Sequence, residues 1–284
     1  MIDFKSLLVS GQPLIMPGAH DALSARMIEA AGFKAYGVGG SALSAMQLAL
    51  PDAGLQSYGE YRDAVGRILE ATSLPVMIDG ENGFGDVKAV TRTVRGFERM
   101  GVSGIVFEDL IFPPALDGPP GVISRGDINN KLAAALAARC DERLFVVGRT
   151  DAAYVIHPDE AVARAREFQS LGVSAVLATG LPDLDAYRRL RDAISVPLLA
   201  VVVPGSPWYA LSAAQLTEIG IDAALYPAAL LARIVLAVRE GLKAIRTDDG
   251  AAPPGFEMRS LAAVLKTADW AALDARFRGT SSKQ

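Results

Sequence analysis

Two acidic phrases stand directly after short apolar runs. Asp79-Gly80-Glu81-Asn82-Gly83-Phe84-Gly85 follows Val76-Met77-Ile78, and Glu108-Asp109 follows Gly104-Ile105-Val106-Phe107. Carboxylates that converge on one cavity repel each other unless a cation lies between them. With no His or Cys beside them, Asp79, Glu81 and Glu108 point to a hard ion held by oxygen, Mg²⁺ or Mn²⁺. Each acid taken singly could instead cap the next helix or pair with an arginine. Arg149, in Gly148-Arg149-Thr150-Asp151, ends a wholly apolar run and needs a carboxylate partner. Its planar fork suits the acid group of a substrate; an internal salt bridge to one of these acids is the other reading. Gly39-Gly40-Ser41 ends another apolar run. It can bring bare backbone N–H groups against an oxyanion, or simply turn the chain tightly between strand and helix.

The elements that must position these groups repeat along the chain. Eight short apolar runs begin near Leu14, Ala35, Val76, Gly104, Leu144, Ala175, Leu198 and Ala223, and a helical stretch follows each. The runs are continuous rather than alternating, as strands buried on both faces of a parallel sheet are. Asp21, Asp86, Asp127 and Pro158 mark helix starts, where acids satisfy free N–H groups and the helix dipole. Gly32, Gly101, Gly172 and Gly220 stand in a recurring phrase at helix ends, which marks repeated βα units. Eight such units predict a closed (β/α)₈ TIM barrel over residues 1–246. No Gly-x-Gly-x-x-Gly turn follows the first run, which argues against an open doubly wound sheet. Residues 247–284 read as a linker and a C-terminal helical extension, with a helix from Ser260 to about Phe277 that packs against a neighbouring subunit. In such barrels the active site lies at the C-terminal ends of the strands, where all the residues above fall.

Composition narrows the class further. Of 284 residues, 51% are apolar, enough for a large core, and the net charge of −4 without a dense Lys/Arg run gives no footprint for nucleic acid. No apolar run approaches the ~20 residues of a membrane span, and no signal-peptide shape is present, so a soluble cytoplasmic protein is expected. Cys140 alone excludes an intrachain disulfide and reads as a buried or half-buried small residue at a helix end. His20 and His157 are too far apart in sequence for an imidazole-rich zinc site. Both read as structural, His157 at a helix start.

From about Leu14 to Arg246 the chain resembles the isocitrate lyase/phosphoenolpyruvate mutase superfamily. Asp79 to Gly85 resembles its Asp-x-Asp-x-Gly-Tyr/Phe-Gly metal loop, with Glu81 in place of the second Asp. Glu108-Asp109-x-x-Phe112-Pro113, Gly148-Arg149-Thr150-Asp151-Ala152 and Leu50-Pro51-Asp52 resemble three further motifs in the family's order. The resemblance implies Mg²⁺ held largely through water by Asp79, Glu81, Glu108 and Asp52, with the 2-oxo and carboxylate oxygens of a substrate on the ion. It implies that Gly39, Gly40 and Ser41 bind the substrate carboxylate or enolate with Arg149 opposite. It also implies a homotetramer with exchanged C-terminal helices.

Departures from the family pattern set the expected chemistry. After Phe-Pro, lyases acting on isocitrate or methylisocitrate carry Lys-Lys/Arg-Cys-Gly, and the phosphorus–carbon enzymes carry Lys-x-Asn. This chain has Pro114-Ala115-Leu116-Asp117-Gly118, with Leu116 at the position of that Cys or Asn. The loop and the Gly39-Gly40-Ser41 phrase resemble the oxaloacetate decarboxylase branch. That branch, however, places a histidine after the eighth strand, where this chain has Tyr226-Pro227-Ala228. The expectation is a Mg²⁺-dependent carbon–carbon lyase acting on a small 2-oxo or 2-hydroxy dicarboxylate through a pyruvate enolate, with oxaloacetate first. Phosphonopyruvate or carboxyphosphonoenolpyruvate chemistry, or a non-catalytic metabolite-binding barrel, are the alternatives. The Pro- and Gly-rich loop Pro113–Arg125 is expected to act as a lid.

Overall fold

A computed structural model describes residues 3–114, 118–247 and 257–278. Its eight strands are β1 (Leu14–Pro17), β2 (Tyr36–Val38), β3 (Val76–Asp79), β4 (Gly104–Glu108), β5 (Phe145–Thr150), β6 (Ala175–Ala178), β7 (Leu198–Val201) and β8 (Ala223–Tyr226). They pair in parallel in the order β1-β8-β7-β6-β5-β4-β3-β2. A Gly18–Gly37 bridge, with the Ala19 N–H donating to the Gly37 carbonyl at 2.8 Å, closes the remaining seam. The expected (β/α)₈ barrel is therefore what the chain forms.

Strand alternation divides the core in two. Leu14, Met16, Met77, Val106, Val147 and Leu199 belong to an inner cluster that fills the barrel. Ile78, Ile105, Val146, Val176 and Ala224 belong to an outer cluster shared with the helices. Both faces of each strand are buried, which is why the runs read as continuously apolar. Phe4, fully buried, plugs the N-terminal end of the barrel against Phe145, with ring centroids 5.2 Å apart.

The surrounding helices are α1 (Ala22–Ala30), α2 (Gly40–Leu43), α3 (Tyr58–Leu69), α4 (Val87–Arg99), α5 (Arg125–Ala138), α6 (Ala152–Val155), α7 (Pro158–Leu171), α8 (Leu184–Ala193) and α9 (Ala213–Ile219). A π-helical turn, Ser44–Leu48, continues α2. The expected starts at Asp21, Asp86 and Pro158 hold: Asp21 and Asp86 accept backbone N–H groups of the first turn, and His157 caps α7 just ahead of Pro158. Asp127 does not open a helix. Ser124, in extended conformation, caps α5 and accepts the Asp127 N–H at 3.1 Å, which leaves Asp127 inside the first turn. Gly172 and Gly220 end α7 and α9 at φ 90° and 85°, left-handed conformations that cost glycine little.

The C-terminal part departs from expectation. The helix after β8, α10 (Ala229–Thr247), has no buried residue. The single helix expected from Ser260 to about Phe277 is two, α11 (Met258–Val264) and α12 (Thr267–Arg278), because Lys266 between them takes a left-handed φ of 55°. Cys140 is exposed rather than buried or half-buried. It follows the end of α5, and its backbone N–H is held by the Glu98 carboxylate at 2.8 Å. The expected linker at 248–255 and Leu116 of the expected lid lie outside the described residues. Among those described, no helix is long and apolar enough to cross a membrane.

Candidate active site

Side chains in a strand point alternately to its two faces, so the inner positions can be followed up each strand to the barrel mouth. Two residues beyond inner Met77 stands Asp79, beyond Val106 Glu108, and beyond Val147 Arg149. Two beyond Val201 and Leu225 stand Val203 and Pro227, and Gly18 and Gly39 occupy the equivalent places on β1 and β2. The mouth holds a cavity of about 210 Å³. Gly39, Gly40, Ser41, Asp52, Asp79 and Arg149 line one side of it, and Val201, Val203, Leu225 and Pro227 line another part of its wall. Ordinary strand alternation thus places every charged group that the sequence picked out on β3, β4 and β5 at one mouth.

Arg149 is the centre of an ion-pair network. Its Nε and Nη2 donate to the two oxygens of Asp151 at 2.9 and 3.0 Å. Its Nη1 lies 2.7 Å from Glu108 Oε2 and 3.7 Å from Asp79 Oδ2. Thr179 Oγ1 in turn donates to Asp151 Oδ1. The internal salt bridge, one of the two sequence readings of Arg149, is thus what the structure contains, and its bidentate partner is Asp151 rather than Asp79, Glu81 or Glu108. A guanidinium has five N–H groups. Two of these bind Asp151, and the Nη1 end of a side chain that is 19% exposed faces Glu108 and Asp79.

The remaining acids are packed around the same space. Asp79 accepts the Glu81 N–H at 2.9 Å, and the Gly40 amide also faces this carboxylate. Glu81 is buried at a left-handed φ of 52° and shares Oε1 contact with the Cα of Gly40, where a Cβ would lie only 1.5 Å from that oxygen. The absence of a side chain at Gly40 is therefore what admits Glu81. Burial pushes the Glu108 carboxyl up to about 8 despite the opposing Arg149 charge, and Asp79, Asp151 and Asp52 add to the rise. Burial, then neighbouring acids, raises Glu81 well above the usual carboxylate range and raises Asp79 and Asp52 as well.

Such crowding is the electrostatic situation a divalent cation relieves. Among the described residues no three His, Cys, Asp or Glu side chains converge tightly enough to hold an ion directly. The donors of Asp52, Asp79, Glu81 and Glu108 are nonetheless all carboxylate oxygens, with Arg149 as the cation in their midst. That set fits a hard ion which keeps much of its water, as Mg²⁺ does.

A second network lies behind the first and was not picked out as a site in the sequence. Asp109 alternates outward from Glu108 and is fully buried. It accepts from Thr150 Oγ1 at 2.6 Å, from the Asp151 N–H at 2.9 Å and from Arg164 Nη1 at 3.0 Å. This ties the backbone of Asp151, and so the carboxylate that aims Arg149, to α7. The signal for it was in the helix: Arg164 stands in the buried stripe Ala161, Arg164, Ala165, Phe168, where a charge needs a buried partner. His157 is structural, as expected, accepting the Asp159 N–H on Nδ1 at 3.2 Å. His20 is buried, and burial lowers its pKa. Of the expected lid, the neck is described: Leu110 bridges Val122, and the Ile111 N–H donates to Gly121 at 2.9 Å.

The chain is similar to known proteins in both sequence and fold. The family model described as phosphoenolpyruvate phosphomutase matches residues 4–246. An oxaloacetate decarboxylase of Bradyrhizobium sp. strain BTAi1 is 36% identical over 248 residues, 87% of this chain and 84% of that protein. An oxaloacetate acetylhydrolase solved with 3,3-difluorooxalacetate superposes with a TM-score of 0.91 at 27% identity, covering 98% of this chain and 97% of the other. A phosphonopyruvate hydrolase solved with oxalate and Mg²⁺ superposes with a TM-score of 0.86 at 27% identity, covering 98% and 99%.

Proposed function

Because the chain belongs to the phosphoenolpyruvate phosphomutase family, we propose that it is a magnesium-dependent carbon–carbon lyase acting on a small 2-oxo acid, oxaloacetate first among them. The observation that carries this reading is a cavity lined by Asp52, Asp79 and Arg149, with the buried carboxyls of Glu81 and Glu108 close enough to feel the charges of those two acids. Mg²⁺, when bound, supplies a Lewis acid for the 2-oxo oxygen and for the enolate it becomes.

The chain's own residues do the rest. Asp52, Asp79, Glu81 and Glu108 hold the ion through its water. Ser41 and the backbone of Gly39 and Gly40 hold the substrate carboxylate in place, and Arg149, aimed by Asp151, presents its guanidinium to the same acid. Loss of CO₂ requires a sink for an electron pair but no general acid for the leaving group, which suits a loop with Leu116 in place of a cysteine. The 36%-identical oxaloacetate decarboxylase supports the substrate, and the relative solved with oxalate and Mg²⁺ supports the ion.

The test is release of pyruvate from oxaloacetate, 2-methylisocitrate and phosphonopyruvate, each with and without EDTA. Turnover of oxaloacetate that chelation abolishes is expected. Phosphate release from phosphonopyruvate as the main activity would move the protein to phosphorus–carbon chemistry. Tight oxalate binding with no turnover of any of the three would make it a metabolite-binding barrel.

A further inference from the structure

The cavity is charged on one side only. At its mouth β3 and β5 supply Asp79 and Arg149, the latter held by Glu108 of β4, whereas β7 and β8 and the residues just beyond them supply Val201, Val203, Leu225 and Pro227. Among the described lining residues this second side offers neither a cation nor a hydrogen-bonding side chain. Packing alone does not explain it. The fully buried inner residues lie deeper, whereas Val203 is 37% exposed at the mouth, where a lysine or serine would be solvated without cost to the core.

We infer that Val201, Val203, Leu225 and Pro227 form the subsite for the departing fragment and select one that leaves without charge. This deepens the lyase reading above and rests on it. A 2-oxo acid bound to the charged side extends its far end across a space of about 210 Å³ to this wall. A carboxylate held against the half-buried Val201, Leu225 and Pro227 gives up part of its water and gains no counter-charge, which is unfavourable. In decarboxylation that charge leaves the carboxylate as the reaction proceeds: the C3–C4 bond breaks, its electron pair passes through C2–C3 onto the 2-oxo oxygen, and CO₂ departs neutral. Water later returns a proton to C3 to give pyruvate. The wall therefore destabilises the bound substrate more than the transition state, and the difference appears in kcat. A fragment that keeps its charges, such as succinate released from 2-methylisocitrate, gains nothing from the wall.

The experiment compares wild type with Val203→Lys and with Val203→Met, a neutral control of similar length. Val203 is partly exposed, so neither change disturbs the core, and thermal melts check this. With oxaloacetate, Val203→Lys is expected to lower KM several-fold, because the new cation holds the carboxylate, and to lower kcat about tenfold, which corresponds to about 1.4 kcal/mol of barrier. Val203→Met is expected to leave both within about twofold. Wild type is expected to turn over 2-methylisocitrate at least about a hundredfold more slowly than oxaloacetate. Deuterium exchange at C3 of pyruvate in D₂O with Mg²⁺ reads the enolate side alone and should persist in all three proteins. If wild type shows neither exchange nor turnover, the lyase reading itself is wrong. If exchange is present but Val203→Lys keeps or raises kcat, or 2-methylisocitrate is the better substrate, the wall does not have this role.

Discussion

Gly40 and Glu81 are complementary at the scale of single atoms. A methyl group at position 40 would lie 1.5 Å from Glu81 Oε1, so Gly40→Ala must expel that carboxylate from the site. The expected result is a loss of Mg²⁺ affinity of about 10- to 100-fold with little change in melting temperature; unchanged affinity by calorimetry would remove Glu81 from the ion's surroundings. Glu108 carries a second prediction. Its carboxyl is pushed up to about 8, so the folded protein binds this proton more tightly than the unfolded chain does. Stability conferred in this way is present at low pH and is lost as pH rises from the ordinary carboxylate range through about 8. An ion that neutralises the acids offsets that loss and releases protons as it binds. The melting-temperature gain from Mg²⁺ over EDTA-treated protein should therefore grow from about pH 5 to about pH 8, and a constant gain would contradict it. The acids themselves were legible in the sequence because carboxylates rarely end apolar strands unless something binds there. The bidentate partner of Arg149 was legible as well but was passed over: Thr150 alone stands between it and Asp151, and strand alternation puts residues two apart on one face.

Strand alternation is the device that makes the elements into a site. Eight short runs and their endings were readable because buried parallel strands are apolar on both faces and because glycine-ended helices repeat between them. Reading the same period of two across the strand ends would also have given the order of groups around the mouth, and with it Asp109 pointing outward into the helix layer. There it meets Arg164 of α7 at 3.0 Å. Arg164→Met should cost about 3 kcal/mol of unfolding free energy, since it leaves a buried carboxylate without its cation. It should also loosen Arg149 through the Asp109 bond to the Asp151 backbone. Urea denaturation and the KM for oxaloacetate check the two effects, and an unaltered denaturation midpoint would show that Asp109 is neutral in the folded protein. The break between α11 and α12 was not legible. Lys266 sits in a left-handed turn that no glycine, proline or asparagine announces, and the helical periodicity runs through it.

Taken as a single chain, the molecule leaves apolar surface bare at one end. Leu236, Leu242 and Ile245 on α10, Met258 on α11, and Trp270 and Phe277 on α12 are all exposed. A soluble monomer seldom shows so many large apolar residues on successive helices. We propose that copies of the chain cover them for one another in a homotetramer, as the family resemblance implies. Light scattering on the purified protein should return four chains, and Leu236→Glu with Leu242→Glu should shift it toward smaller species. A wild-type monomer would contradict the assembly while leaving the site within one barrel intact.

The account as a whole depends on a divalent ion among the acids of β3 and β4. Titration of the metal-free protein with Mn²⁺, followed by electron paramagnetic resonance in the presence of oxalate, tests this most directly. One tightly bound ion per chain is predicted, its spectrum altered by oxalate and its binding weakened by Asp79→Ala and by Glu108→Gln. Wild type and both variants binding Mn²⁺ equally, with no response to oxalate, would contradict it.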